Sequence, residues 1–241
     1  GSYAQFITST FGYDKVLPMN SGVEACETAV KLARKWAYEV KGVPLNSATV
    51  IFAESNFWGR SLAAVSSSTD PESYNNYGPF MPGFKTIPFN DPIALEAAFK
   101  EDPNIAAFMV EPIQGEAGVV VPDDEYLATV RSLCNQYNVL FIADEVQTGL
   151  CRTGKMLACD HSNVKPDILC LGKALSGGTM AVSAVLANDS VMLVIKPGQH
   201  GSTFGGNPLA CCVATEALKV LIDEKLDENA EVMVNTEVKL C

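Results

Sequence analysis

Basic residues are scarce in this chain: 17 lysines and arginines stand against 28 aspartates and glutamates, a formal charge of −11 over 241 residues. Such a surface repels polyphosphate backbones and anionic headgroups, so neither nucleic acid nor a membrane surface is expected as the main partner. No apolar run approaches the length of about 20 residues that a spanning helix needs. No basic segment followed by an apolar stretch opens the chain, so no signal peptide is read there. Repeats and low-complexity linkers are missing too. Paired CxxC spacings are absent, and Cys151, Cys159 and His161 alone make a poor zinc site. The eight cysteines are scattered, several inside apolar runs such as ILCL and LACCVA. That pattern suits reduced, buried thiols in an intracellular setting, the cytosol first and the mitochondrial matrix second, better than a disulfide framework.

What is present is a large apolar fraction, 48%, enough for one sizeable domain. Helix and strand patterns alternate along it. Val23, Cys26, Ala29, Val30, Ala33 and Trp36 recur at helical spacing, which predicts a helix over 21–40 with Ser21 and Glu24 as a capping box and Gly42 and Pro44 as its stop. TVIFA (49–53) reads as a buried strand, followed by a helix over 58–67. Asp91-Pro92 opens another helix that ends before Pro103. The apolar runs 105–110, 139–143, 168–171 and 182–187 are further strands, with an amphipathic helix over 123–137 between the first two. Asn207-Pro208 caps a long helix, apolar nearly all round and therefore predicted to be mostly buried. Strands without polar alternation, separated by helices, indicate a three-layer α/β/α domain around a mostly parallel sheet covered on both faces. In such sheets ligands gather beyond the C-terminal ends of the strands.

The polar clusters fall at those ends. Asp144 closes LFIAD, and Lys173 follows ILCLG. An acid and a lysine on the lips of buried strands suit pyridoxal phosphate (PLP): the lysine can form a Schiff base with its aldehyde, and the acid can keep the pyridine nitrogen protonated. The plainer alternatives are a turn cap for Asp144 and a snorkelling surface lysine for Lys173. Entry from an apolar strand predicts a desolvated Lys173. Gly172 and Ser176-Gly177-Gly178 leave room around it. Asn20-Ser21-Gly22-Val23 lies at a helix N-terminus, where free N–H groups favour a phosphate, although most such caps bind nothing. His200 to Asn207 is a small-residue loop with two hydroxyls, or simply a flexible turn. Asn56-Phe57-Trp58-Gly59-Arg60 offers an aromatic plane and a guanidinium that can clamp a carboxylate. Glu111 and Glu116 sit past another strand end.

NSGVEA, NFWGR, EPIQGEAG, ADEVQTG, LGKALSGG and HGSTFGGNPLA, in this order, resemble the large domain of class III (subgroup II) PLP-dependent aminotransferases, of fold type I. The resemblance covers roughly residues 3–226, and is nearest to members acting on ornithine. It implies a PLP-binding domain over 1–226 and a tail over 227–241, with the family's N-terminal segment and C-terminal small domain outside the chain. Lys173 would carry the Schiff base and act as acid–base, and Asp144 would pair with the pyridinium. Phe57 would stack on the ring and Gln147 approach its hydroxyl. Gly22 and Val23 would hold the phosphate, while Ser202 and Thr203 would reach the phosphate of a neighbouring subunit in a homodimer. Arg60 would bind a substrate carboxylate, with Glu111 and Glu116 nearby. The implied reaction moves the δ-amino group of L-ornithine to 2-oxoglutarate, giving glutamate 5-semialdehyde, which cyclises to pyrroline-5-carboxylate, and glutamate. The alternatives are an acetylornithine or 4-aminobutyrate donor, or a non-catalytic PLP-binding fragment.

Three features depart from the family's pattern. The arginine expected to partner Glu116 belongs to the small domain. Thr179-Met180-Ala181 replaces a stretch that often holds proline, and VMVNTEVKLC (232–241) does not continue the family's sequence. Cys151 stands where relatives carry a small residue, as packing or as an oxidisable thiol with Cys159 as partner.

Overall fold

The computed structural model describes residues 1–237; residues 238–241, the end of the expected tail with Cys241, lie outside the described residues. Seven strands form one sheet: β1 (Lys15–Met19), β2 (Thr49–Ala53), β3 (Phe84–Ile87), β4 (Ile105–Val110), β5 (Leu140–Asp144), β6 (Ile168–Leu171) and β7 (Ser183–Ala187). Their spatial order is β1-β7-β6-β5-β4-β2-β3. The five strands from β6 to β3 run parallel, whereas β7 is antiparallel to both β6 and β1. The sheet is therefore mixed with a parallel majority, as the apolar runs predict.

Alternate residues of each central strand feed two separate cores. Ile51, Phe108, Val110, Phe141 and Leu169 face one side. Val50, Phe52, Met109, Ile142 and Cys170 face the other. A strand buried on both faces loses the polar alternation of a surface strand, and each large side chain removed from water there contributes roughly 1.5–3 kcal/mol. Around the sheet lie α1 (Ser2–Phe11), α2 (Gly22–Trp36), α3 (Leu62–Ser66), α4 (Pro71–Tyr74), α5 (Pro92–Glu101), α6 (Tyr126–Gln136), α7 (Asp189–Met192), α8 (Pro208–Asp223) and α9 (Leu226–Glu237). Among the described residues no helix is long and apolar enough to cross a membrane.

The capping box at Ser21 and Glu24 forms as expected, and α2 continues as a π-turn over Ala37–Lys41 before Gly42 ends it in the left-handed conformation. Two helices are shorter than their patterns. The segment 58–67 is helical only over α3, because Gly59 has φ 146° and Ser61 then caps the helix by accepting from the Ala64 N–H. The 123–137 segment becomes helical at Tyr126. The expectation of a mostly buried α8 is corrected: only Ala210, Ala214 and Leu218 are buried, at spacing i, i+4, i+8, while Leu209 is 62% exposed. The helix packs mainly through that stripe on α1 and on the turn after β6, with α9 against its end, and leaves much of its other apolar surface exposed among the described residues.

Candidate active site

At the C-terminal ends of β4, β5 and β6 a cavity of about 230 Å³ is lined by Gly22, Val23, Phe57, Glu111, Glu116, Asp144, Gln147 and Lys173, together with Trp58, Gly59, Val146 and Thr148. Eight of the residues singled out by sequence thus converge from five separate stretches of chain. The N-terminus of α2 reaches the cavity because Gly22 lacks a side chain: a Cβ there would stand 2.7 Å from Val146 Cγ1. Its first-turn N–H groups have no intrahelical acceptors and, with the helix dipole, favour an anion.

Asp144 is buried at the last position of β5. Its Oδ1 accepts from the Val146 N–H at 3.1 Å, and its Oδ2 accepts from the Cys26 thiol at 3.4 Å. Burial pushes this carboxyl up to about 6, while the two donors and the nearby Lys173 charge pull the other way. Lys173 differs from expectation. Its strand ends at Leu171, and the lysine opens a 3₁₀ turn with φ 43°, its side chain exposed at the cavity's rim. The apolar run before it buries the strand and not the lysine, so this chain does not desolvate the amine. A positive φ on a non-glycine residue is strained backbone of a kind that clusters at functional sites.

The aromatic pair splits. Trp58 turns into the core, stacking on Phe52 at 5.6 Å and donating from Nε1 to Ser67 Oγ. Both rings border the cavity, but only Phe57 is free of the core, with the Arg60 guanidinium 5.5 Å above its ring. Arg60 itself is exposed beside the cavity and does not line it. Gln147 donates to Glu116 Oε1 at 3.1 Å, so Glu116 has a partner within the chain. Ser202 and Thr203 stand elsewhere. Asn20 Nδ2 donates to Ser202 Oγ, and His200 fastens their loop to α2 through Thr28 and Lys31. Burial and the Lys31 charge keep His200 below its ordinary range.

Glu111 is the second buried carboxyl of the site. It accepts from the Phe57 N–H at 2.9 Å and from the Gly115 N–H at 3.4 Å, yet burial, reinforced by Asp144, pushes it up to about 8. The native state therefore holds a proton that the unfolded chain releases near its ordinary value. Folding stability from this group is complete at low pH and is lost as pH rises, by about 1.4 kcal/mol per unit across pH 5–8. Glu111→Gln removes that dependence. In urea unfolding of the cofactor-free protein its advantage over the parent should widen from pH 5 to pH 8 and level off above. A difference that is flat with pH would refute the assignment.

Sequence reasoning missed Cys26, Val146, Thr148 and Glu145. Glu145 is wholly buried behind the site and accepts from the Ala158 and Cys159 N–H groups and from the Thr148 hydroxyl. Cys26 carried a usable signal, since it lies one helical turn after Gly22. Cys151 and Cys159 are free and buried, and burial raises both thiols above their ordinary range, which keeps them in the less reactive protonated form.

An acid and a lysine at adjacent strand ends of a mixed seven-stranded sheet, under a helix N-terminus, define the PLP-dependent transferase fold of type I, and solved aminotransferases superpose on it. The sequence matches the family "Aminotransferase class-III" over residues 1–237, and the chain belongs to that family. It is 66% identical over 233 residues to the mitochondrial ornithine aminotransferase of Rattus norvegicus, covering 97% of this chain and 53% of the relative. A Toxoplasma gondii ornithine aminotransferase, described with PLP at partial occupancy in its active site, superposes with a TM-score of 0.97 at 59% identity, over 98% of this chain and 56% of that one. The acetylornithine aminotransferase of Elizabethkingia anophelis gives 0.86 at 58% identity, over 98% and 55%. The chain thus spans about half the length of the relatives it matches.

Proposed function

We propose that the protein carrying this chain is a PLP-dependent aminotransferase that moves the δ-amino group of L-ornithine to 2-oxoglutarate, releasing glutamate 5-semialdehyde and glutamate. One observation carries the reading: Asp144, Lys173 and Phe57 share one cavity beneath the N-terminus of α2. The donor set fits the cofactor. A buried carboxylate with a lone pair still free suits a protonated ring nitrogen, an aromatic face suits a flat heterocycle, and unpaired helix N–H groups at Gly22 and Val23 suit a phosphate. When bound, PLP supplies an aldehyde for amine exchange and a ring that accepts the electrons of a broken C–H bond.

The chain's residues divide the remaining work. Lys173 Nζ would hold the cofactor covalently and, when free, would take the proton from the donor carbon and later return one. Asp144 would keep the ring nitrogen charged. Gln147 would serve the ring hydroxyl and Phe57 one face of the ring. Arg60, steadied over Phe57, binds a substrate carboxylate; Glu111 and Glu116 shape the pocket around it. Ser202 and Thr203 serve the phosphate of a partner subunit in a homodimer. Residues 1–226 are the cofactor-binding domain, and the setting is an intracellular one that keeps thiols reduced.

The ornithine assignment leans on the relatives' identity, and the Elizabethkingia structure keeps acetylornithine as the competing donor. Single-turnover assays with ornithine, acetylornithine and 4-aminobutyrate separate them, with ornithine expected to be fastest. An ornithine rate no better than the other two would sink the substrate assignment. A protein whose PLP spectrum no donor changes would be a cofactor-binding module without turnover.

A further inference from the structure

The carboxylate at the end of β5 does not stand in the core unaided. Its Oδ1 has a backbone donor, Val146, that no side-chain substitution removes. Its Oδ2 has one side-chain donor, the thiol of Cys26, 118 residues away in sequence and 3.4 Å away in space. We propose that Cys26 is a positioning residue for Asp144: its thiol donates to Oδ2, fixes the carboxylate's rotation and favours the anion that faces the pocket.

Three features of the fold support this. The capping box at Ser21 and Glu24 sets where α2 begins and thus its rotational phase. Gly22 and Cys26 are four residues apart and share one face of that helix, so the close approach of Gly22 to Val146 carries Cys26 onto the side chain of Asp144 one turn deeper. A single helix then offers N–H groups to an anion at its tip and a donor to the acid beneath. Second, Cys26 is completely buried, and burial, Cys170 and Asp144 all raise its thiol well above the ordinary range. It stays protonated at any working pH and can only donate to a carboxylate. Third, the other charged or titratable groups facing Asp144 cannot replace it. Cys170, its register partner on β6, directs its thiol at the Ala25 carbonyl and at the Cys26 sulfur, and not at the carboxylate. Glu111, past β4, is itself pushed toward neutrality and adds repulsion when ionised. Lys173, after β6, stabilises the anion through its charge and makes no hydrogen bond to it among the described residues.

The bland account of Cys26 is a core filler in the apolar cluster between α2 and the sheet. Size and donor capacity separate the two. Cys26→Ala and Cys26→Val bracket the thiol in volume and both lack a donor, whereas Cys26→Ser keeps one. The Asp144 carboxyl is followed by ¹³C NMR against pH in the cofactor-free protein. Both non-donor variants are expected to raise its midpoint by about 0.5–1 pH unit, with Cys26→Ser close to the parent and Cys170→Ala unchanged. A midpoint that stays put in Ala and Val, or that moves as far in Ser as in Ala, overturns the proposal. The consequence for the cofactor rests on the role proposed above for Asp144 and is read separately, from the pH titration of the visible spectrum of the PLP-loaded protein. If the carboxyl midpoint moves while the spectrum's does not, the Cys26 contact stands and the pairing of Asp144 with the ring nitrogen falls.

Discussion

Lys173→Ala should leave a folded protein whose turnover of ornithine is lower by at least about 10⁴-fold, because on the proposed mechanism the substitution removes both the covalent anchor and the proton carrier. The exposure of this side chain makes the test clean. Lys173 stands at the rim on a 3₁₀ turn, in no ion pair or hydrogen bond among the described residues, so its truncation removes no packed contact from the core, only the charge that faces Asp144 and Glu111. Unfolding midpoints of variant and parent should differ by no more than about 1 kcal/mol. Borohydride treatment with PLP, followed by peptide mapping, should place the cofactor on Lys173 in the parent and nowhere in the variant. Lys173→Arg keeps the charge but cannot deliver a neutral amine, since a guanidinium stays protonated, and should be as inactive as alanine. Turnover within tenfold of the parent in either variant would remove Lys173 from the chemistry.

How far the site could be read from residues alone follows the physics of each element. The strands β4 (IAAFMV) and β5 (LFIAD) were legible because burial on both faces strips them of polar residues. The two edge strands were not. β1 contains Pro18 and meets a neighbour only in β7, and β3 is four residues, three of them half-buried. Edge strands keep polar and proline residues because one side of the ladder is unpaired, so the local signal fades. Asp144, Lys173, Gly22 and Phe57 could be placed at strand and helix ends by sequence. Which of Phe57 and Trp58 would keep its ring clear of the core could not, since that depends on Phe52 offering Trp58 a stacking partner on the same face of the sheet. The exposure of Lys173 was misjudged for a similar reason: a strand's burial says nothing about a residue beyond the Gly172 turn. Cys26 needed the register of α2 against β5, which only the packed helix supplies.

Asp144 and Glu145 are adjacent, acidic and buried, yet their substitutions should fail in opposite ways. Asp144 accepts one backbone and one thiol donor and faces the cavity; Glu145 accepts two backbone N–H groups and a hydroxyl and faces the loop at Ala158 and Cys159. For Asp144 the folded carboxyl lies near 6 against an ordinary 3.8. The native state thus binds more protons than the unfolded one between those values, and stability is lost as pH rises through that window, by about 1.4 kcal/mol per unit. At pH 7.5 the ionised carboxylate is therefore a net cost to the fold, as expected of a group with the cofactor role proposed for it. Asp144→Asn deletes the charge in nearly the same volume. It should keep or raise the midpoint of thermal unfolding, while turnover falls by about 10³-fold for want of a partner to the ring nitrogen. Glu145→Ala leaves two N–H groups and a hydroxyl buried without acceptors, at a cost of about 3–5 kcal/mol. For a chain of this length that lowers the thermal midpoint by roughly 6–20 °C. Below its new midpoint the Glu145 variant should still turn over ornithine at a sizeable fraction of the parent rate, because of the groups that line the cavity only Thr148 loses a partner. Differential scanning calorimetry alongside single-turnover kinetics reads both axes at once. A stable, inactive Glu145 variant beside an active, unstable Asp144 variant would invert the assignment, and would mean that the acid serving the site is the one directed at the loop.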